Sequence, residues 1–262
     1  MKGRRTSIQI MADVLFALLL REFQTRFGNR RMGAFWMIFE PMIHVFVMLF
    51  IFTVIRARSV QGMDYPVFLL SGLIPFFMMR NIAKKLMDSV NANKALFVYP
   101  NIKIFDTYIA RMLVEIIIYG IIYIIFLFCL GYWFGFDVSI ARPIGFLGAL
   151  LEGVLFSFGL GVLLSILIQA VPSIKSFVGI MFMVFYLISG ILFPLWIIPE
   201  KYLHWVLWNP YAHIISNIRD SAFLYYPDIN GVSSTYPTIA TIVVLFTALG
   251  LYKFRKERLL MQ

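Results

Sequence analysis

Apolar runs of membrane-spanning length recur along this chain, and they leave it few folds to adopt. Gly33 to Ile55 holds a single charged residue, Glu40. It supplies roughly the 20 residues needed to cross a hydrocarbon core about 30 Å thick. In hydrocarbon every backbone N–H and C=O must find its partner within the protein, which a helix provides by itself. Pro66 to Met79, Thr107 to Phe134, Pro143 to Ala170, Ser173 to Phe193 and Pro237 to Tyr252 repeat the pattern. The second run is short for a full crossing, and Gly72 and Pro75 are expected to distort it. The 262 residues are 61% hydrophobic and only 14% charged, too little charge to hydrate a soluble domain of this size. The expected class is an all-α, polytopic integral membrane protein with six transmembrane helices. Its membrane domain spans 33–253, between a cytosolic amphipathic interface segment at 1–32 and a cytosolic tail at 254–262.

The distribution of charge orients the bundle. Of 23 Lys and Arg residues, 18 fall in the N-terminal segment, from Arg80 to Arg111, at Lys175, and from Lys253 onward. The other five, Arg56, Arg58, Arg142, Lys201 and Arg219, fall on the opposite side. Basic residues stay on the side of synthesis, so both chain ends are expected in the cytosol. The net charge of +10 accompanies apolar segments rather than one soluble face, which argues for anchoring at a membrane and against a nucleic-acid partner. Cys129 is the only cysteine, and His44, His204 and His213 show no metal-ligand spacing with it. No metal site and no redox chemistry are expected.

Before the first span, Met11, Leu15, Leu19, Phe23 and Phe27 recur every four residues on one helical face, as in a helix lying in the headgroup plane. A signal peptide fits less well, because Val14 to Leu20 is followed by Arg21-Glu22 and not by small residues. The longest polar interruption in the first half runs from Arg80 to Arg111 and frames an apolar, aromatic knob, Ala95 to Pro100. Such a knob suits docking by another protein, with Asn93, Leu96, Phe97, Tyr99, Pro100 and Lys103 as candidate contacts. A loop that folds back on the bilayer surface is the plain alternative.

Polar or aromatic residues at fourfold spacing mark faces that should not see lipid. These are Trp36, Glu40 and His44 on the first span, Arg111, Glu115, Tyr119 and Tyr123 on the third, and Phe182, Tyr186 and nearby Phe193 on the fifth. Arg111 and Glu115 can pair with each other. Trp36, Glu40, Tyr119, Tyr123, Phe182, Tyr186 and Phe193 are candidates for a conduit wall, with helix packing the competing role. On the fourth span Gly145, Ala149, Gly153, Ser157, Gly161 and Ser165 form a small-residue ridge. Because four residues advance about 400°, the ridge winds and can meet one partner near each end. Between Pro194 and Tyr236 the extracytoplasmic chain is long yet aromatic, with Pro194, Trp196, Trp205 and Trp208 as candidate gate residues. Its short, Pro-broken segments should dip into the outer leaflet as re-entrant helices or anchor at the interface.

No phosphate loop, nucleophile elbow or zinc-protease motif occurs, so the chain is expected to catalyse nothing itself. A transport subunit driven by a separate energy source and a membrane-embedded glycan transferase remain. The order of features resembles the type-2 ABC exporter permeases, and within them the capsular polysaccharide export permeases of the KpsM type. The residues that carry the resemblance are Leu20-Arg21-Glu22 with Thr25 to Gly28, Arg31 to Gly33 with Trp36 and Glu40-Pro41, Pro66 to Phe77, Phe193-Pro194 with Ile198-Pro199, and Trp208-Asn209-Pro210. The resemblance implies a permease homodimer bound to two ABC ATPase subunits, in which ATP and Mg are used by the partner and no cofactor by this chain. It implies export of a lipid-linked, often acidic polysaccharide across a bacterial inner membrane, toward periplasmic and outer-membrane export proteins. O-antigen and teichoic-acid permeases are similar in outline. It also places the coupling segment within Asn91 to Asp106 and re-entrant helices between Pro194 and Ser221.

Overall fold

The structure, a computed structural model, describes residues 6–27, 33–55 and 63–261, and over these it is helical with no β-sheet. Helix α1 (Ser7–Phe27) precedes α2 (Gly33–Phe50), which ends in a π-helical turn, Ile51–Ile55. Then come α3 (Tyr65–Met87), the short α4 (Ser89–Asn93), a 3-10 turn (Lys94–Val98) and α5 (Ile104–Phe134). The chain continues through α6 (Pro143–Ala170), α7 (Ile174–Ile188), a 3-10 turn (Leu195–Ile197), α8 (Glu200–Val206), α9 (Pro210–Ala222) and α10 (Thr235–Met261). Four of these, α3, α5, α6 and α10, are long and apolar enough to cross a membrane; Ile38–Thr53 and α7 are apolar but shorter.

Helix α3 is the axis of the protein. It packs against α5, α6 and α9, and from Tyr65 to Met79 every residue is buried. Its start suits the sequence, since Pro66 in the first turn gives up an N–H that would have no helical partner anyway. Pro75 lies inside the helix without ending it, because close packing on several sides outweighs one lost backbone bond. The helix therefore runs to Met87, eight residues past the expected Met79. This makes Arg80, Lys84 and Lys85 part of α3 and not of a loop.

The small-residue ridge of α6 does meet different partners at its two ends. A Cβ on Gly145 would lie 2.7 Å from the Ser221 hydroxyl, and one on Gly161 would lie 3.0 Å from the Ala83 backbone. Ser157 shares a 2.9 Å hydrogen bond with the Tyr211 hydroxyl of α9, and Ser165 one of 2.9 Å with the Tyr108 hydroxyl of α5. Backbones thus approach where side chains are absent, and the two serines answer buried phenols.

Helix α1 lies along α5 on the side its apolar spacing marks, with Leu19 and Phe23 packed against the core. Met11 is 52% exposed, while Leu18 is buried and Glu22 and Arg26 are half-buried beside it. Charge pairs join the apolar contacts on this side. Arg26 pairs with Glu115 at 2.6 Å and Glu22 with Arg111 at 3.3 Å. Arg111 and Glu115, which could have paired within their own helix, instead each take a partner from α1, and Arg111 also donates to the Lys85 carbonyl at 2.8 Å. One four-charge cluster joins three helices at a depth where an unpaired charge is costly.

Candidate functional site

Two regions carry the candidate residues: a pinned segment after α3, and a polar face where α2, α3, α5 and α7 converge.

The pinned segment is α4 with the turn that follows. Asn93 is buried, so its amide works inside the protein: Oδ1 accepts from Arg21 of α1 at 2.9 Å, and Nδ2 donates to the Ser89 carbonyl at 3.0 Å. Ser89 in turn shares a 3.0 Å bond with Thr107 of α5. Asn91 accepts from Gln169 at the end of α6, and Asp88 pairs with Lys175 of α7, both at 2.9 Å. Leu96 and Phe97 are half-buried, and Phe97 packs against the core. Val98 at 83% and Tyr99 at 61% exposure, with Pro100, form the projecting tip. Lys103 is exposed, and its backbone N–H donates to the Asp106 carboxylate at 3.0 Å, which starts α5.

The conduit candidates separate into inward and outward groups. Tyr119 is buried, its hydroxyl accepting from Asn81 at 2.6 Å; Tyr123 stacks on Phe146 of α6 at 6.0 Å; Phe182 is buried against Tyr211 at 6.2 Å. Glu40 and Phe193 are exposed, and Phe193 sets its ring edge-on to Phe52. Tyr186 lies between the groups, stacked on Phe77 at 5.7 Å. The Trp36 side chain falls outside the described residues, as do Arg56 and Arg58.

On the other side of the bundle, Trp208-Asn209-Pro210 builds a helix start. The Asn209 Oδ1 accepts from the Tyr211 N–H at 3.1 Å, Pro210 occupies the first turn, and Asn209 Nδ2 donates to Ser189 at 2.7 Å. Pro194 is buried, and Trp196 packs on Phe68 and Tyr226; Trp205 and Trp208 are exposed at 65% and 73%, with ring centres 6.1 Å apart.

Beneath these rings lies a residue whose role the spacing does not announce. Arg219 of α9 is 1% exposed. It donates to the carbonyls of Gly190 at 2.5 Å, Ile191 at 2.9 Å and Phe68 at 3.1 Å, and its guanidinium sits 3.6 Å from the Phe68 ring centre. Gly72 makes room for it, since a Cβ there would come within 2.5 Å of Arg219 Nη2. The signal available in sequence was an isolated arginine in an otherwise apolar stretch.

Among the described residues no three His, Cys, Asp or Glu side chains gather as a metal site would require. Long apolar helices and inter-helix polar ties make this a polytopic membrane protein. Residues 13–223 match the ABC-2 type transporter family, and the chain belongs to it. It is 35% identical over 259 residues to the polysialic acid transport protein KpsM of Escherichia coli, covering 98% of each chain. It is 32% identical over 218 residues to the capsule polysaccharide export inner-membrane protein CtrC of Neisseria meningitidis, covering 83% of this chain and 82% of that one. BexB of Haemophilus influenzae, likewise named for capsule polysaccharide export, is 29% identical over 249 residues, 94% and 90% of the two chains.

Proposed function

We propose that this chain is the inner-membrane permease of an ATP-driven exporter of capsular polysaccharide, working as a homodimer with two separate ATPase subunits. The substrate reading rests on relatives named for capsule polysaccharide export and on one named for polysialic acid transport, which favours capsule over O-antigen or teichoic acid. One observation carries the coupling: the exposed tip at Val98-Tyr99-Pro100 stands on a segment tied by side chains to α1, α5, α6 and α7. A push on that tip reaches every one of these helices. The ATPase supplies ATP and Mg chemistry, and this chain converts the push into a path for a lipid-linked glycan.

In this reading α2 and α7 join the four long helices to make six crossings, with both chain ends cytosolic. Helices α8 and α9, of 7 and 13 residues, enter the outer leaflet and return, because neither is long enough to span. Glu40, Tyr186 and Phe193 are the conduit candidates nearest an open surface, with Trp205 and Trp208 at the exit. Periplasmic and outer-membrane export proteins would receive the polymer. The test is deletion and complementation: cells lacking the chromosomal copy should lose surface polysaccharide and regain it with this chain, and the affinity-purified chain should bring down a P-loop ATPase. Isolation without such a partner, together with glycan transferase activity, would overturn the assignment.

A further inference from the structure

Arg80 is counted by sequence with the cytosolic loop, but it sits seven residues inside α3, about 10 Å from the helix end at 1.5 Å per residue. It is half-buried. Its guanidinium lies 4.6 Å from the Phe77 ring centre, and its Nε donates only to the neighbouring Asn81 Oδ1, at a long 3.4 Å. Elsewhere the depth-embedded cations are answered: Arg111 by Glu22, Arg26 by Glu115. Among the described residues no carboxylate lies within ion-pair distance of Arg80.

The same Phe77 ring gathers two more polar groups. His44 of α2 meets it edge-on at 4.8 Å, and Tyr186 of α7 stacks on it at 5.7 Å. The Tyr186 hydroxyl is buried and, among the described residues, has no hydrogen-bond partner. A buried phenol rarely goes unanswered. Guanidinium, phenol and imidazole all donate hydrogen bonds, and two acceptors beside them are already engaged: Asn81 Oδ1 with Arg80, and the Tyr119 hydroxyl with Asn81 Nδ2. A cluster of donors around one cation, open on the His44 side where that residue is exposed, is short of a negatively charged acceptor. The shape of the need is an oxyanion, which a guanidinium fork holds through two parallel bonds.

We propose that Arg80, His44 and Tyr186 form a binding site for an oxyanion of the transported molecule, either a sugar carboxylate or the phosphodiester of its lipid anchor. This rests on the export reading and names the charge that the conduit recognises near its cytosolic side. An aromatic wall alone would let a neutral glycan slide equally well. A single cation at the entry selects an anionic one without lining the whole path with charge.

The test uses the purified chain in nanodiscs of phosphatidylcholine with three probes: an oligosialic acid, a dextran oligomer of matched length, and short-chain phosphatidylglycerol. The unaltered protein should bind at least one anionic probe more tightly than dextran. Arg80→Gln should weaken that binding about tenfold or more, the scale of a lost charge-assisted bond pair, and leave dextran unchanged. Loss confined to oligosialic acid assigns the carboxylate, and loss confined to phosphatidylglycerol assigns the phosphodiester. Arg80→Lys should keep part of the affinity, and Tyr186→Phe, which preserves the stacked ring, should lose a few-fold. If Arg80→Gln fails to reach normal abundance or melting temperature, Tyr186→Phe and His44→Gln carry the same measurement. Equal binding of both anions by parent and variants, or no preference over dextran in the parent, overturns the site. Complementation by the unaltered chain is measured separately, so a failed site and a failed export assignment give different results.

Discussion

Replacing Arg219 with Met keeps the length of the side chain and removes its donors, so it isolates what the guanidinium holds. Of its three carbonyl partners, the one at Phe68 also accepts from the Ser71 hydroxyl at 2.8 Å, so it stays paired. The carbonyls of Gly190 and Ile191 do not belong to a helix and would face an apolar side chain. Each buried acceptor left without a partner costs about 1–3 kcal/mol, so two cost about 4 kcal/mol. Replacing a buried ion pair by apolar groups can be neutral when both partners are replaced. Here the partners are backbone and remain. At 1.4 kcal/mol per decade, 4 kcal/mol corresponds to roughly a thousandfold shift toward the undocked segment. Hydrogen exchange in nanodiscs reads this directly. The amides of Ile197 and Ile198, which donate to Pro194 and Leu195, should exchange about a thousandfold faster in Arg219→Met, while amides in α5 stay protected. Arg219→Lys should fall between, because an ammonium supplies donors but cannot lie flat on the Phe68 ring. Unchanged exchange at 190–198 would refute the idea that this cation fastens the outer segment.

Two further outcomes are expected. Tyr99→Asp, at an exposed tip, should change stability by no more than about 0.5 kcal/mol yet release the ATPase on purification, whereas Phe97→Asp, packed on the core, should lower abundance as well; an ATPase retained with normal turnover by Tyr99→Asp would sink the docking tip. His213 on α9 donates from Nε2 to the Leu207 carbonyl at 2.8 Å and accepts the Ser233 N–H on Nδ1 at 3.1 Å, so it is neutral; burial holds its pKa below the ordinary 6.5 against the opposing pull of those bonds and of Glu152. The unfolded chain then binds the extra proton first, so stability is complete above pH 6.5 and declines below it, and thermal melting of His213→Asn should lack that decline.

How much of this could be read from residues alone depended on the range of the interaction. The α6 ridge was legible because its period is local and small residues have one common use between helices. Helix α6 also keeps the limits set by Pro143 and Ala170. The extent of α3 was not legible, because charge at Arg80, Lys84 and Lys85 reads as a loop until packing by α5 and α6 is known. On α1 the apolar spacing marks the side that packs, with Leu19 and Phe23 against the core, but it gives no sign that Glu22 and Arg26 share that side and meet charges on α5 nearly ninety residues away in sequence. Asn93, expected as a docking contact, is buried, and its amide bonds to Arg21 and Ser89. Val98, inside the knob but not among the expected contacts, is 83% exposed at the tip.

The embedded arginines show three ways of answering a cation away from water, and each way has a mechanical consequence. Arg111 meets a carboxylate on another helix, so α1 and α5 move together or the pair breaks at a cost of several kcal/mol. Arg219 meets carbonyls, whose partial charges come with the backbone, so it fixes the path of a segment with no regular structure of its own. Arg80 meets a ring and one neighbouring amide, which together neutralise less charge than either arrangement. A ring face is an attractive but weak and non-exclusive partner, easily shared with an arriving anion. Fastening residues have their partners built in; a recognition residue must have its partner brought to it. On that criterion Arg111 and Arg219 belong to the frame of the permease, and Arg80 belongs to its path.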